Sequence, residues 1–79
     1  MYQAVREVQA TDDFKLLLSF ENDEKRIFDA RPILTFGRFS ELSDLKQFKS
    51  VHISFDTVEW GNGLDLDPEY LYRKSNPID

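Results

Sequence analysis

The chain has 79 residues, enough for one hydrophobic core but not two, and this length predicts a single small domain over residues 1–79. It contains no cysteine, which excludes disulfides, thiol catalysis and thiolate metal sites. The formal net charge of -5 disfavours contact with phosphate backbones, so no direct nucleic-acid partner is expected. No apolar run approaches the roughly 20 residues of a membrane span, and the N-terminus lacks the apolar region of a signal peptide. We therefore expect a cytoplasmic protein without a membrane partner.

The first third of the chain predicts an antiparallel meander whose strands cover residues 3–10, 14–21 and 24–30. The second strand carries the clearest signal, because its apolar residues alternate with polar ones in the period of a half-buried strand. These apolar residues are Phe14, Leu16, Leu18 and Phe20. Turns are predicted at residues 11–13 and at Asn22–Asp23.

The predicted turn at Asn22–Asp23 fixes which side chains share a face of the meander. A two-residue loop there would place Leu18 opposite Ile27. Leu17 would then meet Phe28 on the other face. Because a domain of this size has a single core, only one face of its sheet is expected to be covered, and the second face is predicted to be available to another chain. Leu17 and Phe28 are therefore the candidate interaction surface.

The middle of the chain predicts a packed connector and a short helix. Pro32 ends the third strand, because proline cannot donate to the ladder. The connector is too apolar for a free loop, since it contains Ile33, Leu34, Phe36 and Phe39. Ser43–Asp44 then offers a helix cap, which predicts a helix near residues 43–49 with Leu45 and Phe48 on one face.

A second hairpin is predicted with strands at residues 50–55 and 58–61. A loop at Asp56–Thr57 would place Phe55 opposite Val58 and Ile53 opposite Trp60, with all apolar side chains on one face. Trp60, the single tryptophan, is then predicted to be a core residue rather than a platform for a ligand.

The C-terminal part predicts a turn followed by a helix. Asn62 and Gly63 tolerate the positive φ of a tight turn. Asp67 can cap a free backbone N–H, and Pro68 fits the first helical position, which predicts a helix near residues 67–74. Together these elements predict an α+β fold with an antiparallel sheet of about five strands.

Three stretches resemble the small bacterial domain-of-unknown-function family 2442 (DUF2442): FENDEKRIFDARPIL, SDLKQFKSVHI and VEWGNGLDLDPEYLY. The resemblance covers about residues 5–72, and its most specific part is the string W-x-N-G-x-D-L-D-P-E-x-L-Y. The motif positions are Trp60, Asn62, Gly63, Asp65, Asp67 and Pro68. The chain departs from common members at Asp23, where a glycine would complete the hairpin turn.

The resemblance implies a compact α+β domain that occurs alone or joined to a helix-turn-helix segment, and no such segment is expected in this chain. Short members resemble one partner of toxin–antitoxin-like gene pairs. The family supplies no catalytic residue. What the resemblance implies for this chain is therefore a protein partner.

Three functions remain open. The first is a protein-interaction module, antitoxin-like, that binds a protein partner or forms a homo-oligomer. The second is a small-ligand or metal-binding protein, or an enzyme, using the carboxylate face of Asp65 and Asp67. Leu66 interrupts that pair and Pro68 closes it, which differs from the spacing of a calcium loop. The third is an accessory part of a transcriptional regulator.

The single histidine offers little support for catalysis. His52 could form an acid/base couple with Glu59 across the second hairpin, but no serine or cysteine nucleophile motif accompanies it. We therefore expect no enzyme activity, no catalytic residue, no cofactor and no metal, and the interaction module is the favoured interpretation.

Overall fold

The computed structural model describes residues 3–78 and confirms the α+β class. The strands in this region are β1 (Val5–Ala10), β2 (Lys15–Phe20), β3 (Lys25–Asp29), β4 (His52–Ser54), β5 (Thr57–Glu59), β6 (Asp65–Leu66) and β7 (Asn76–Pro77). The α-helices are α1 (Leu45–Phe48) and α2 (Pro68–Lys74). The connector between β3 and α1 consists of two 3-10 segments, Arg31–Thr35 and Gly37–Ser43.

The strands form two antiparallel sheets rather than the one that the sequence predicts. The larger sheet has the order β1-β2-β3-β7, and the smaller has the order β4-β5-β6. The predicted meander is β1 to β3, and the predicted second hairpin is β4 and β5. None of the helices formed by residues 3–78 combines the length and apolarity that crossing a membrane requires.

Three hairpin loops share one geometry, in which the third loop residue has a positive φ. These loops and the φ of their third residues are Asp12–Phe14 (64°), Glu21–Asp23 (67°) and Gly61–Gly63 (88°). In each, the N–H of the residue before the loop donates to the carbonyl of the residue after it, at 2.9, 2.9 and 2.8 Å respectively. Three-residue hairpin loops with a left-handed last residue are a common way to close a hairpin.

The loop between β2 and β3 corrects the predicted register. It has three residues instead of two, so Leu17 lies opposite Ile27 and Leu16 opposite Phe28. Because side chains alternate along a strand, this one-residue shift exchanges the two faces. The predicted placement of Phe28 beside Leu17 is therefore wrong: Phe28 is buried in the core, with 2% exposed, and Ile27 takes its place.

The loop between β4 and β5 differs from the prediction in another way. It is Phe55–Asp56, one residue earlier than predicted, and Ile53 lies opposite Val58. This changes the predicted pairing by two residues, so Ile53 and Val58 keep the face that they were assigned. Phe55, however, leaves the strand and is 99% exposed at the tip, where its φ is 56°.

The core lies against the inner face of the larger sheet and collects side chains from nearly every element. Its buried members are Val5, Leu16, Leu18, Phe20, Phe28, Ala30, Leu42, Phe48, Val58, Trp60 and Leu71. Trp60 is 1% exposed, and its Nε1 donates a hydrogen bond to the Phe48 carbonyl at 2.9 Å. The indole is thus buried without leaving its polar atom unsatisfied, which suits a core residue.

Both α-helices begin at aspartate caps that the sequence predicts. The Asp44 carboxylate accepts a hydrogen bond from the Lys46 N–H at 3.1 Å, and α1 starts directly after it. The Asp67 carboxylate accepts from the Glu69 N–H at 3.0 Å, with Pro68 at the start of α2. Each cap satisfies a backbone donor that the helix itself cannot.

Candidate interaction surface

The outer face of the larger sheet, the face that points away from the core, carries an apolar pair at its centre. Leu17 on β2 and Ile27 on β3 lie directly opposite each other and are both half-buried. Neither belongs to the core cluster or to the hydrophobic side chains packed against it. Gln9 on β1 and Asn76 on β7 continue the same row and are exposed. The row therefore has an apolar centre between neutral polar ends.

A groove of about 580 Å³ crosses this face. Its apolar lining comes from Val8, Leu17, Leu18, Val51, Ile53 and Ile78, and its polar lining from Glu7, Gln9, Ser19, Lys25 and His52. A smaller depression of about 380 Å³ shares part of this lining and adds Arg6, Phe20 and Asp23. A cleft of this size is large enough to hold a few side chains of another molecule.

Two of the residues that shape this surface are not predicted from the sequence. Ile27 was expected on the inner face. The sequence signal for its true position is Asp23, because aspartate tolerates a left-handed backbone and so permits a three-residue loop. Ile78 lies beyond the last predicted helix. Its N–H donates to the Lys25 carbonyl at 2.9 Å, which holds it at the edge of the outer face. Leu17 is the predicted surface residue that the structure does place there.

Phe55, like Ile27, is assigned by the sequence to a buried face, and the structure does not place it there. Its 99% exposure exceeds that of Phe36 (65%) and Ile78 (45%), the other large hydrophobic residues that are exposed among the described residues. A bulky residue at positive φ is uncommon, because its Cβ crowds the backbone. Backbone strain and apolar exposure both disfavour phenylalanine at this position of the isolated chain.

The carboxylates of the family motif do not converge on one site. Asp67 is engaged as the cap of α2, and Asp65 lies opposite Glu59 and is exposed. Within residues 3–78, no group of three or more histidine, aspartate or glutamate side chains is arranged to hold a metal ion. A ligand, metal or active site built on Asp65 and Asp67 would therefore have to use a carboxylate that already caps α2.

Asn62 and Gly63 shape the loop that precedes β6. The Asn62 Oδ1 accepts from the Leu64 N–H at 3.2 Å, while its Nδ2 donates to the Glu41 carboxylate at 2.9 Å. This second bond is the main cause that lowers the pKa of Glu41 below its ordinary value. Arg38 donates to the Asn62 carbonyl at 3.1 Å. Asn62 therefore connects its loop to the connector, and Gly63 supplies the left-handed backbone.

His52 and Glu59 form the couple that the sequence offers as an acid/base alternative. They lie opposite each other on β4 and β5, with 3.2 Å between Nε2 and Oε1. The histidine is exposed and lines the groove. Ser54, which is on the same strand as His52, lies opposite Thr57. The couple is therefore a polar element at the border of the groove.

A polar cluster attaches the end of α2 to β3. Arg26 donates through Nε to the Ser75 hydroxyl at 2.8 Å, through Nη2 to the Ser75 carbonyl at 2.7 Å and through Nη1 to Glu24 at 2.9 Å. The Arg26 guanidinium lies 4.5 Å from the centre of the Tyr72 ring. The Tyr72 hydroxyl donates to the Glu24 carboxylate, and this bond, followed by one from Asn22, lowers the pKa of Glu24. The same bond raises the pKa of Tyr72.

Comparison with known proteins agrees with the resemblance noted in the sequence. Residues 5–77 match the model of the family DUF2442, described as a protein of unknown function. No curated protein and no solved structure matches the chain. The matched region runs from the first residue of β1 to the last residue of β7 and so includes both sheets, the string that begins at Trp60, and the groove lining except Ile78. The chain therefore belongs to the DUF2442 family.

Proposed function

We propose that this domain works by stable association with a protein, either a second copy of itself or the product of a neighbouring gene, and that the outer face makes the contact. The observation that carries the proposal is the pair formed by Leu17 and Ile27. These two apolar side chains meet at the centre of a sheet face but do not pack against the core. An antiparallel sheet with one face in the core normally presents polar side chains on the other.

The composition of the outer face supports a protein partner. Protein interfaces have an apolar centre and a polar rim, and contiguous exposed apolar surface marks interaction sites. Here Leu17 and Ile27 form the centre, while Gln9, Asn76 and Lys25 surround them. Burying a half-exposed aliphatic side chain stabilises a complex at about 25 cal/mol per Å² of apolar area.

The family resemblance supports a more specific version of the proposal. Short members resemble one partner of toxin–antitoxin-like gene pairs, so the chain would act as the antitoxin-like partner in such a pair. In that role the domain binds and has no turnover of its own. The scattered positions of Asp65, Asp67 and His52 are consistent with binding without catalysis.

The test replaces the apolar pair and keeps the fold. The double variant Leu17→Ser/Ile27→Ser should lose association in sedimentation and in copurification with the coexpressed product of the neighbouring gene. Its circular dichroism should stay that of a folded domain, because neither side chain belongs to the core. The variant Phe36→Ser removes an exposed phenylalanine, 65% exposed, outside the outer face and should associate like the wild type. A wild-type chain that binds neither itself nor that product would contradict the proposal, as would a double variant that associates normally.

A further inference from the structure

We propose that the occupant of the outer-face groove is a second copy of this chain, whose Phe55 side chain inserts between Leu17 and Ile78. This inference rests on the proposed function and names its partner. Phe55 and the groove are each unexplained by the folding of one chain. At the hairpin tip a backbone with positive φ carries a fully exposed phenyl ring. In the groove, Leu17 and Ile78 are apolar residues that neither belong to the core nor pack against it.

The groove is large enough to receive the ring. An apolar cavity of about 150 Å³ is enough to bind benzene. The groove, at about 580 Å³, therefore accommodates one phenyl ring and part of the hairpin that carries it. Leu17, Ile53 and Ile78 supply apolar contacts on its lining. Large aromatic side chains that fill such pockets are frequent anchors of protein interfaces.

One pair of charges next to the two features is complementary, although Glu7 also lines the groove. Asp56 directly follows Phe55 and is exposed at the hairpin tip. Lys25 lines the groove, is exposed, and forms no ion pair with any residue that the structure describes. Insertion of Phe55 brings an acidic group of one chain towards a basic group of the other. Complementary charges at the border of an interface favour the correct orientation of the partners.

Their positions favour a closed pair over a filament. Ile53 lines the groove on β4, and Phe55 follows the last residue of that strand. The inserting ring and the receiving groove are thus neighbours on one molecule. A twofold axis near β4 allows each chain to insert its Phe55 into the other, so both contacts form together.

The experiment measures sedimentation equilibrium of the purified chain over a range of concentrations. The wild type should form a dimer, and Phe55→Gly should weaken dimerisation about 30-fold or more, the loss expected for an anchor residue. Glycine also suits a φ of 56°, so the melting temperature of the monomeric variant should not fall. Phe36→Ser is the matched control and should dimerise like the wild type. Leu17→Ser should remain folded and monomeric, and Ile78→Ser replaces it in the test if the first variant does not fold.

Mixing the variants separates insertion from a general loss of apolar surface. Phe55→Gly keeps an intact groove, and Leu17→Ser keeps an intact Phe55. At a concentration at which neither variant dimerises alone, an equimolar mixture should regain a heterodimer with one of the two contacts. A monomeric wild type, an unaffected Phe55→Gly variant or a mixture that stays monomeric would overturn this inference. If the neighbouring gene product still binds through Leu17 and Ile27 in that case, the proposed function stands and the partner is different.

Discussion

The loops Glu21–Asp23 and Gly61–Gly63 are built in the same way from different residues. Each has a central asparagine whose Oδ1 accepts from the first N–H after the loop, at 3.1 Å for Asn22 and 3.2 Å for Asn62. Each asparagine also donates through Nδ2 to a glutamate, at 2.9 Å in both cases. The left-handed position holds aspartate in the first loop and glycine in the second. The comparison shows that the same asparagine hydrogen bonds form whether the left-handed position holds aspartate or glycine.

The loop Asp12–Phe14 extends the comparison to a less favourable residue. Phe14 occupies its left-handed position, and a threonine hydroxyl replaces the asparagine, since Lys15 N–H donates to Thr11 Oγ1 at 3.1 Å. Phe14 is half-buried, and its ring lies 5.2 Å from that of Phe48. Packing therefore holds this backbone in a conformation that the residue itself disfavours.

The largest effect is expected when Phe14 is replaced by glycine. Truncating a buried phenylalanine costs about 3–5 kcal/mol, while removing a left-handed side chain returns about 1–2 kcal/mol. Because Phe14 is half-buried, we expect Phe14→Gly to lower the free energy of unfolding by about 2 kcal/mol. Urea denaturation followed by circular dichroism measures this change. An increase in stability would show that strain, not packing, dominates at this position.

The next effect compares the two asparagine loops by substituting the left-handed residue of each. Gly63→Ala should destabilise the domain by about 1–2 kcal/mol, because a Cβ is unfavourable at its φ even though no atom lies within 4 Å of the added carbon. Asp23→Gly should have the opposite sign and stabilise by about 0.5 kcal/mol. The ion pair between Arg6 and Asp23, 3.9 Å long and exposed, contributes little to offset this gain. Equal effects of the same sign would contradict the shared geometry.

The smallest effect concerns pH. The pKa of Glu24 is lowered in the folded chain, chiefly by the hydrogen bond from Tyr72 and then by that from Asn22. A lowered pKa contributes stability that is present above the unfolded pKa and is lost as pH falls through the folded pKa. Stability should therefore decline in acid, and the decline should be shallower in Glu24→Gln. Thermal denaturation at a series of acidic pH values tests this. Glu41→Gln, which removes the titratable carboxylate that accepts from Asn62, should flatten the decline less, since Glu41 has no tyrosine donor.

Local signals predict much of the fold. The cap at Asp67, the turn at Gly63 and the burial of Trp60 depend on neighbouring residues or on size and polarity, and the structure has each of them. The register between β2 and β3 depends on loop length, which a single left-handed aspartate changes by one residue. For that reason Phe28 and Ile27 each lie on the face opposite to the one predicted from the sequence.

The candidate surface is less predictable than the fold. Leu17 is identified from its break in the alternation of β2, but Ile78 reaches the same face through a short strand after α2. The exposure of Phe55 depends on a hairpin loop that begins at a residue whose φ is rarely positive. Alternation favours Phe55 as the last residue of a buried strand face, and only the observed backbone contradicts that interpretation.

Because Trp60 is buried, it is an intrinsic fluorescence probe of the folded core. The sequence has one tryptophan, so intrinsic indole emission comes from a single site. The ring lies 6.1 Å from that of Phe48 and donates its N–H to the Phe48 carbonyl, away from water. Emission should therefore be at short wavelength in the native state and shift to the red on unfolding. Neither Leu17 nor Phe55 belongs to the core around this ring, so an unchanged spectrum in their variants reports an intact core.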